Sequence, residues 1–405
     1  MEVKPGYKLT EVGVIPEDWE VAALGKHASF RTGPFGSALH QSDYVTGGIP
    51  IINPMHIIDG NIVYSETMTV TEETAKSLSD FKLKLGDIVI GRRGDMGRCA
   101  VVREQEVDWL CGTGSMIIRP SDADADYLQR VLSSREIITA IENSSVGTTM
   151  VNLNQGSLYS LKIQFPPSLE QRAIAQALSD VDALLATLDQ AIAKKRDLKQ
   201  ATMQQLLTGK TRLPGFSGEW EVKRLGDICE LKMGRTPPRL NPAFWGEGYV
   251  WLSIADLQSK LVSSSKEQVT EAAAATMELI PKGTLLMSFK LSIGRLCFAG
   301  CDLFTNEAIC SFNSLTANAD YLYYALERVD FSLYGKQAVK GYTLNKKSLK
   351  TVKVTLPTAA EQAAIAKVLS DMDAELSVLE SRRDKTRNIK QAMMQELLTG
   401  KTRLV

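Results

Sequence analysis

Residues 166–213 read PPSLEQRAIAQALSDVDALLATLDQAIAKKRDLKQATMQQLLTGKTRL, and residues 357–404 read PTAAEQAAIAKVLSDMDAELSVLESRRDKTRNIKQAMMQELLTGKTRL. The two stretches align at a constant offset of 191 residues without a gap, and 28 of their 48 positions are identical. Nothing else in the chain repeats so cleanly. Self-similarity over this length indicates one structural element that the chain contains twice.

Each copy has the pattern of a long amphipathic helix. Its apolar residues recur at spacings of four and three, which is the pattern of a heptad seam. The seam positions are Ile174, Leu178, Val181, Leu185, Leu188 and Ile192 in the first copy, and Ile365, Leu369, Met372, Leu376 and Leu379 in the second. Beyond Lys194 and Arg382 the apolar spacing slips, and it is expected to resume at Leu198 and Leu206 in the first copy, and at Ile389, Met393 and Leu397 in the second. A helix with one narrow apolar stripe needs a partner helix.

Both helices carry signals for where they begin and end. A glutamine or glutamate stands three residues after a hydroxyl side chain at each start, which predicts a capping box: Ser168 with Gln171, and Thr358 with Glu361. The expected C-terminal stops are Gly209 and Gly400. Each helix is therefore about forty residues long, or roughly 60 Å at 1.5 Å per residue.

The charge distribution predicts how the helices pair. Residues 168–193 include four acidic residues and one basic residue, whereas residues 194–213 include one acidic and six basic residues. The second copy has the same asymmetry. Antiparallel packing places each acidic half on the other's basic half, so we expect an antiparallel pair, although a single exposed ion pair contributes only about 0–1 kcal/mol. The alternative is two unrelated helical hairpins, which the constant offset disfavours.

A lead-in peptide also occurs twice. Residues 10–25 read TEVGVIPEDWEVAALG and residues 211–226 read TRLPGFSGEWEVKRLG, so Trp19 matches Trp220. The second long helix ends where the next lead-in peptide would follow, and the N-terminus supplies it. This order predicts a circular, pseudo-two-fold molecule whose termini lie close together. The expected domains are residues 1–165, the helix of 166–213, residues 214–356 and the helix of 357–405.

The two globular segments share a skeleton but little sequence. Strand-like runs at residues 86–90 and 99–102 flank a basic loop at 91–98, and runs at 283–287 and 296–298 flank the corresponding loop at 288–295. A short helix near Tyr127 or Tyr321, a polar segment and a β-like run then lead to each long helix. We therefore predict an α+β protein in which two globular domains are separated by two long antiparallel coiled-coil helices.

Composition limits the classes of function. The chain of 405 residues is 44% apolar and 23% charged, with a formal net charge of zero, so no strong global field attracts it to nucleic acid. It has neither an apolar signal segment nor a run of 18 apolar residues, and we expect a cytoplasmic protein without a membrane partner. Its six cysteines are expected to be reduced thiols. A zinc site at Cys297, Cys301 and Cys310 is the lesser alternative, because every histidine lies in the other half.

No sequence motif favours catalysis or metal binding, whereas matched basic loops favour contact with DNA. Arginines among glycines can approach a phosphate backbone or guanine edges; the alternative is solvated hairpin tips. The candidate DNA-contacting residues of the first domain are Arg31, Thr32, Ser37, Arg92, Arg93, Arg98, Thr149 and Asn152. Those of the second domain are Lys232, Arg235, Arg239, Ser288, Lys290, Ser292, Arg295, Lys340 and Tyr342.

These features together resemble the specificity subunit of a type I restriction–modification system. The resemblance spans essentially the whole chain. It depends most on the residues 12–19 (VGVIPEDW), Leu169-Glu170-Gln171, the two Leu-Leu-Thr-Gly-Lys closures and Pro34-Phe35-Gly36-Ser37. In that family two target-recognition domains each read one half of a split DNA site, and the long helices set their separation and dock partner subunits.

The resemblance implies recognition without catalysis by this chain. It implies double-stranded DNA and two adenine-methyltransferase subunits as partners, together with a restriction or motor subunit. No cofactor is then expected on the chain itself, because S-adenosylmethionine belongs to the methyltransferase subunits, and ATP and magnesium belong to the restriction subunit.

Geometry leads to the same function by a separate route. The two globular domains, called heads below, can both contact one duplex if a pseudo-dyad relates them. Their half-sites would then lie roughly 34 Å apart, which is one helical turn. Because the loops of the heads differ, we predict two unlike half-sites rather than a palindrome. A partner subunit would flip the adenine from the stack. The rival hypotheses are a scaffold that assembles proteins through its coiled coil without binding DNA, and a self-contained methyltransferase.

Overall fold

The chain folds into two compact units that each contain one globular segment. The computed structural model describes residues 3–35, 38–93, 97–143, 153–338 and 341–404, and of 336–338 and 341–343 the backbone alone. Unit 1 comprises Met1–Leu188 and Arg382–Val405, and unit 2 comprises Asp189–Ser381. Each unit therefore contains part of both long helices. The mixture of helices and strands is α+β, as predicted, whereas the domain limits at residues 165, 213 and 356 stay a prediction.

Unit 1 is built mainly from short strands. Strands β1 to β14 span Tyr7–Thr10, Gly13–Pro16, Glu20–Ala23, Ala28–Thr32, Tyr44–Val45, Ile49–Ile52, Ile57–Ile58, Asn61–Ile62, Thr69–Val70, Ile88–Gly91, Cys99–Val101, Leu110–Cys111, Ser115–Pro120 and Lys162–Phe165. Helices α1 to α5 span Glu72–Ser77, Ala125–Leu132, Arg135–Asn143, Gln155–Ser160 and Ser168–Leu206. The last of these helices continues into unit 2.

Unit 2 has a comparable set of elements. Strands β15 to β26 span Glu221–Arg224, Glu230–Met233, Trp245–Leu252, Leu261–Val262, Glu267–Val269, Leu285–Ser288, Leu296–Ala299, Phe304–Thr305, Ile309–Asn313, Lys336–Ala338, Gly341–Thr343 and Lys353–Leu356. Helices α6 to α10 span Leu225–Ile228, Glu271–Ala274, Ala319–Glu327, Lys346–Lys350 and Ala359–Leu397. Helix α10 continues into unit 1.

The same central sheet occurs in both units. Its order is β11-β10-β13-β4 in unit 1, with every neighbouring pair antiparallel. In unit 2 the order is β16-β23-β20-β21-β18, in which only the added edge strand β18 is parallel to its neighbour. The predicted strand pairs on either side of the loops at 91–98 and 288–295 are thereby confirmed. Each unit also has a smaller sheet, β12-β6-β9-β5 in unit 1 and β19-β17-β22 in unit 2.

The long helices complete the core of each unit. The helices α2 and α8, which we call the head helices, each lie in one globular segment. They bury Tyr127 and Tyr321 against the central sheets. Burial of these apolar surfaces is the main stabilising contribution to each unit. The long-helix residues in the unit 1 core include Ile174 and Leu178 of α5 and Leu397 of α10. Those in the unit 2 core include Ile365 and Leu369 of α10 and Leu206 of α5.

The predicted helix lengths and C-terminal stops are confirmed. Helices α5 and α10 each contain 39 residues. Gly209 and Gly400 have φ values of 69° and 70° in the turns that follow them. This left-handed conformation is the one that glycine adopts without steric cost at the end of a helix.

The predicted capping boxes are wrong in their reciprocal half, and the first is wrong in its forward half too. The backbone N of Gln171 donates to the carbonyl oxygen of Pro167 at 3.0 Å, whereas the Thr358 hydroxyl does accept from the backbone N of Glu361, at 3.4 Å. The side chain of Gln171 does not return to Ser168; its Oε1 accepts from the backbone N of Asp124 at 2.9 Å. The carboxylate of Glu361 likewise binds the Arg212 guanidinium, at 2.5 and 2.7 Å. Partners from distant segments have replaced the local backbone donor, which a short sequence motif cannot reveal.

The seam of the long helices does not slip where the sequence predicts it. Leu198 is 53% exposed and Ile389 is 56% exposed, so neither residue belongs to the seam, whereas the later predicted positions Leu206 and Leu397 are buried as expected. The positions three and seven residues after the buried Ile192 are Lys195 and Lys199, whose side chains are 27% and 19% exposed. The heptad spacing therefore continues with lysines, whose aliphatic stems cover apolar surface while their ammonium groups reach carboxylates.

Ion pairs show that the helix segments within each unit run antiparallel. As residue numbers rise along α5, the numbers of the paired residues on α10 fall. In unit 2 the pairs include Lys195 with Glu375, and Lys199 with Asp373 at 2.5 Å. In unit 1, Asp182 pairs with Lys390 at 2.6 Å, and Glu170 near the start of α5 pairs with Arg403 beyond the end of α10.

A buried glutamate near the start of each long helix binds an arginine beyond the end of the other. In unit 1, Glu170 is 1% exposed and accepts hydrogen bonds from Arg403 at 2.7 and 2.8 Å and from the indole N–H of Trp19 at 2.9 Å. Arg403 also binds Asp18, at 2.8 and 3.0 Å. The lead-in peptide and the C-terminal segment therefore contact each other, as predicted. In unit 2, the completely buried Glu361 binds Arg212, which follows the end of α5, at 2.5 Å.

Candidate nucleic-acid interface

The basic loops of unit 1 converge at one end of its central sheet. In the register, Gly91 at the end of β10 is opposite Ser115 at the start of β13, and Thr32 at the end of β4 is opposite Met116. Because neighbouring strands are antiparallel, the ends of β4 and β10 lie at the same end of the sheet as the starts of β11 and β13. The loops that begin after residues 32 and 91 therefore lie together.

The three arginines of the loop at 91–98 have different surroundings. Arg92 is half-buried, and its Nε donates to the carbonyl oxygen of Leu153 at 3.2 Å. Burial, with a smaller contribution from the charge of Arg93, lowers the pKa of Arg92. Arg98 is half-buried and donates from Nη1 to the carbonyl oxygen of Pro54 at 3.5 Å. Arg93 is exposed, so Arg92 supports the loop while Arg93 presents a cation to solvent.

The edge strand β4 contributes a second cation to this end of the sheet. Arg31 is 48% exposed, forms an ion pair with Asp80, and lies with its guanidinium 5.4 Å from the ring centre of Phe81. The hydroxyl of Thr32 accepts a hydrogen bond from Gln155 Nε2 at 3.0 Å. The other predicted contacts of this domain lie outside the described residues: Ser37, Thr149 and Asn152.

The loop at 288–295 occupies the corresponding end of the unit 2 sheet, and it corrects one prediction. Ser288 is completely buried, so it is not a surface contact for DNA. Its hydroxyl donates to the carbonyl oxygen of Ser292 and accepts from the backbone N of Arg295 at 3.0 Å, which closes the loop. Ser292 and Arg295 are exposed. Lys290 is half-buried, with its ammonium 5.5 Å from the ring centre of Phe289.

The other cations of unit 2 are held by acidic or aromatic neighbours. Lys232 on β16 pairs with Glu278, and the hydrogen bond between them raises the pKa of Lys232. Arg239 pairs with Glu267 at 2.6 Å, and its guanidinium lies 4.0 Å from the ring centre of Trp245.

Three further residues of unit 2 are predicted to contact DNA: Arg235, Lys340 and Tyr342. Arg235 donates from Nη1 to the carbonyl oxygen of Thr276 at 3.2 Å. Tyr342 lies on β25, where the structure describes only the backbone, and Lys340 lies outside the described residues.

Two contacts recur in both units and identify equivalent residues. Arg98 and Arg295 each donate at 3.5 Å to a backbone carbonyl at the start of a short 3-10 helix, that of Pro54 or Ile254. The ion pair of Arg31 with Asp80 corresponds to that of Lys232 with Glu278 on the matching edge strand. The sequence gives no signal for these acidic partners, because they lie 49 and 46 residues away from the cations.

This arrangement can bind a polyanion. Exposed ion pairs contribute only about 0–1 kcal/mol, so phosphate oxygens can replace the surface carboxylates at low cost. Exposed arginines at the end of a sheet can also form bidentate hydrogen bonds with base edges. The acidic partners hold these basic side chains at positions from which they can contact a polyanion.

Removing one of these acidic partners should strengthen binding to DNA. We expect Glu278→Gln to tighten target binding about twofold to fivefold, which is at most the contribution of an exposed ion pair. Lys232 then keeps only the more distant Glu230, at 3.9 Å, and can turn to contact phosphate. Fluorescence anisotropy over a salt series measures this effect. The matched control is Glu221→Gln, which frees Lys223 on a strand outside the candidate interface. Equal affinity for the two variants would show that Lys232 does not contact DNA.

The described residues add two observations about other classes of site. None of their helices combines the length and apolarity that crossing a membrane requires. No group of three or more of their histidine, cysteine and acidic side chains is placed to hold a metal ion. Burial raises the pKa of Cys297 and of Cys310 to about 12.

Comparison with known proteins gives one consistent relationship. The family model described as the type I restriction modification DNA specificity domain matches residues 16–195 and again residues 217–386. The chain is 27% identical over 424 residues to a protein named as the MjaX type I restriction enzyme specificity subunit of Methanocaldococcus jannaschii, covering 98% of this chain and 97% of that protein. It is 22% identical over 422 residues to the MjaVIII specificity subunit of the same organism, covering 96% and 94%.

Solved structures share the fold at lower sequence identity. The S subunit of a type I restriction-modification system from M. genitalium is 17% identical, with a TM-score of 0.61 and coverage of 98% of each chain. A chain from a study of complex assembly and conformational transition in a type I system is 18% identical. Its TM-score is 0.58, and the match covers 96% of this chain and 99% of that one.

Proposed function

Because the chain belongs to the type I restriction modification DNA specificity family, we propose that it recognises the DNA target of a type I restriction–modification complex. One observation carries this proposal. The two family matches each contain one globular segment, and the same end of both central sheets presents an exposed arginine, Arg93 or Arg295. The relatives named as specificity subunits favour this function over a protein-only scaffold.

The target that we propose is a split site with two unlike halves. Each domain would read one half through the loops at the end of its central sheet. The loops differ in sequence between the domains: residues 91–98 read GRRGDMGR and residues 288–295 read SFKLSIGR. Different side chains on equivalent frames select different bases, so the halves should not form a palindrome.

In this proposal the long helices form an antiparallel coiled coil that fixes the distance between the half-sites. The antiparallel ion pairs within each unit and the heptad spacing of the buried positions support it. The matching anchors of Glu170 and Glu361 support a pseudo-two-fold, circular arrangement, because each long helix begins beside the end of the other.

We propose that this chain recognises DNA and does not catalyse its modification. Two methyltransferase subunits would dock on the helices and carry S-adenosylmethionine, and a restriction subunit would supply ATP- and magnesium-dependent cleavage. Such a complex would act in the cytoplasm, where the DNA is accessible. The self-contained methyltransferase is the competing hypothesis, and binding of S-adenosylmethionine by the isolated chain would support it.

Mapping methylated adenines across the genome tests the proposed function. We expect cells that contain the chain to methylate one bipartite motif with two unlike halves and a fixed gap, and cells without it to lose that motif. Methylation that is unchanged when the chain is deleted would contradict DNA recognition. A single uninterrupted motif would contradict two reading domains.

The two exposed arginines should act on different halves of the motif. We expect Arg93→Ala to weaken or relax recognition of one half-site and Arg295→Ala that of the other, each by about 1–3 kcal/mol if the arginine contacts a base. Methylation of a library with single-base changes in each half measures both effects. Arg103→Ala and Lys282→Ala are controls at the opposite ends of the sheets. If both arginine variants affect the same half, the assignment of one domain to each half is wrong.

A further inference from the structure

An aspartate on α5 joins three elements of unit 1. Asp182 forms an ion pair with Arg130 Nη1 on the head helix α2 at 2.6 Å and another with Lys390 Nζ on α10 at 2.6 Å. Arg130 also donates from Nη2 to the hydroxyl of Ser179, one turn earlier on α5, at 3.4 Å. The Arg130 side chain is only 14% exposed. This group of charged side chains therefore connects the head to both long helices.

An aspartate on α10 has the same role in unit 2. Asp373 accepts a hydrogen bond from the hydroxyl of Tyr324 on the head helix α8 at 2.5 Å and forms an ion pair with Lys199 Nζ on α5 at 2.5 Å. Lys260 from a neighbouring loop donates to the Tyr324 hydroxyl at 2.7 Å and to Ser370 at 3.2 Å. Tyr324 is completely buried, and burial together with the Asp373 hydrogen bond raises its pKa.

The two groups are equivalent in position, although their head residues differ. The aspartates, serines and lysines on the long helices are each separated by 191 residues: Asp182 and Asp373, Ser179 and Ser370, Lys199 and Lys390. The head donors Arg130 and Tyr324 each stand six residues after the N-cap of their helix, which is Asp124 or Asn318. The helices thus offer one common acceptor to two chemically different heads.

A second contact fixes the direction of each head helix on the long helix that it contacts; we call this attachment the joint. At the start of each head helix, the backbone N of the N-cap residue donates at 2.9 Å to a long-helix glutamine, Gln171 or Gln362. Two attachment points about six residues, or roughly 9 Å, apart along the head helix define its direction relative to the long helix. Apolar contacts in the same region are non-directional, whereas the hydrogen bonds of the two glutamines and of Arg130 and Tyr324 have a preferred geometry.

The joint of unit 2 also lies beside the candidate interface. Lys260 lines an open cleft of about 610 Å3 together with Tyr323, Gly294 and Arg295. Arg295 is the exposed cation at the end of the central sheet. A change in the direction of α8 would therefore be transmitted to the loop that presents this arginine.

We infer that Asp182 and Asp373 are positioning residues that fix the angle of each DNA-reading head on the long helices. This inference rests on the proposed function. One base pair corresponds to about 3.4 Å along the duplex axis, so a small rotation of a head changes the gap that a complex accepts. Neither aspartate contacts DNA; each acts through the head residue that it holds.

The test compares gap selectivity in cells that express the complete chain with its partner subunits. We expect Asp182→Asn and Asp373→Asn each to raise methylation at sites one base pair longer or shorter about tenfold relative to the native gap, with unchanged half-site bases. An uncharged amide keeps one acceptor but no longer attracts the lysine. The matched controls are Asp180→Asn and Asp371→Asn, exposed positions two residues earlier on the same helices, which should leave the gap unchanged.

The outcomes separate this inference from the proposed function. If the unaltered chain directs no bipartite methylation, the proposed function fails. If it does, and both aspartate variants keep the native gap as strictly as the controls, the positioning role is wrong. Should an asparagine variant fail to accumulate, Tyr324→Phe decides, because it removes one hydroxyl and keeps the ring. We expect it to raise off-gap methylation about threefold, and unchanged selectivity would overturn the inference.

Discussion

Arg403→Ala should destabilise unit 1 by about 3–5 kcal/mol and leave unit 2 nearly unchanged. The guanidinium is the charged partner of Glu170, which is 1% exposed. Its removal leaves a buried carboxylate without a counter-charge, which is among the most costly changes in a protein interior. The indole N–H of Trp19 at 2.9 Å and the backbone N of Leu404 at 3.4 Å remain, but neutral donors cannot replace two charge-assisted hydrogen bonds.

Native-state hydrogen exchange measures this loss separately in the two units of one chain. We expect amide protection in the unit 1 core to fall between about a hundredfold and a few thousandfold. Arg212→Ala should produce the reverse pattern, since Arg212 binds the buried Glu361 of unit 2. Arg387→Ala is the control, because this arginine is 59% exposed. Equal protection in Arg403→Ala and Arg387→Ala would show that the buried pair contributes little.

The acid dependence of stability provides an independent check on the same arginine. The hydrogen bond from Arg403 lowers the pKa of Asp18 below its ordinary value of 3.8. A carboxylate with a lowered folded-state pKa contributes stability above its ordinary pKa, and the contribution is lost as pH falls through the folded value. Unit 1 should therefore lose stability as the pH falls below about 4, and this loss should be smaller in Arg403→Ala.

Insertion of one heptad into both long helices should lengthen the gap of the DNA site by about three base pairs. Seven residues add about 10 Å at 1.5 Å per residue, and each base pair spans about 3.4 Å. Seven residues also complete nearly two turns, so the apolar seam stays on the same side of each helix after the insertion. Suitable points are after Gln190 and after Ser381, which correspond through the offset of 191 residues.

Mapping of methylated adenines would report the new gap directly. The half-site bases should stay the same, because the loops at the ends of the central sheets are unchanged. Insertion into one helix alone is the control, and it should abolish methylation because the two helices no longer match in length. Altered half-site bases together with an unchanged gap would contradict the role of the helices as a spacer.

Several features of the fold were predictable because their signals are local. The helix stops at Gly209 and Gly400 follow from the conformational freedom of glycine, and the strands beside the loop at 91–98 follow from short apolar runs. The equivalence of Arg98 and Arg295 was visible from the order of strand, loop and strand in both segments. The two contacts at 3.5 Å with Pro54 and Ile254 then confirmed it.

Other features depended on segments that are distant in sequence. Ser288 is a small polar residue of the type expected in a surface loop. It is nevertheless buried, and its hydroxyl accepts from the backbone N of Arg295 to close the loop. Lys195 and Lys199 interrupt the apolar pattern but occupy the seam, because their ammonium groups form ion pairs with carboxylates of α10. Leu198 matches the apolar pattern and is exposed.

The duplicated helices, their length, the antiparallel direction of their segments within each unit, the α+β class and the family all follow from sequence patterns, because periodicity, charge blocks and glycine stops act over neighbouring residues. Which charged side chains are buried, and which partners they bind, depends on how distant segments pack in the folded chain. Glu170 and Arg403 are separated by 233 residues, and the energy of such a pair depends on the packing that excludes water from it. No local pattern of residues encodes that exclusion.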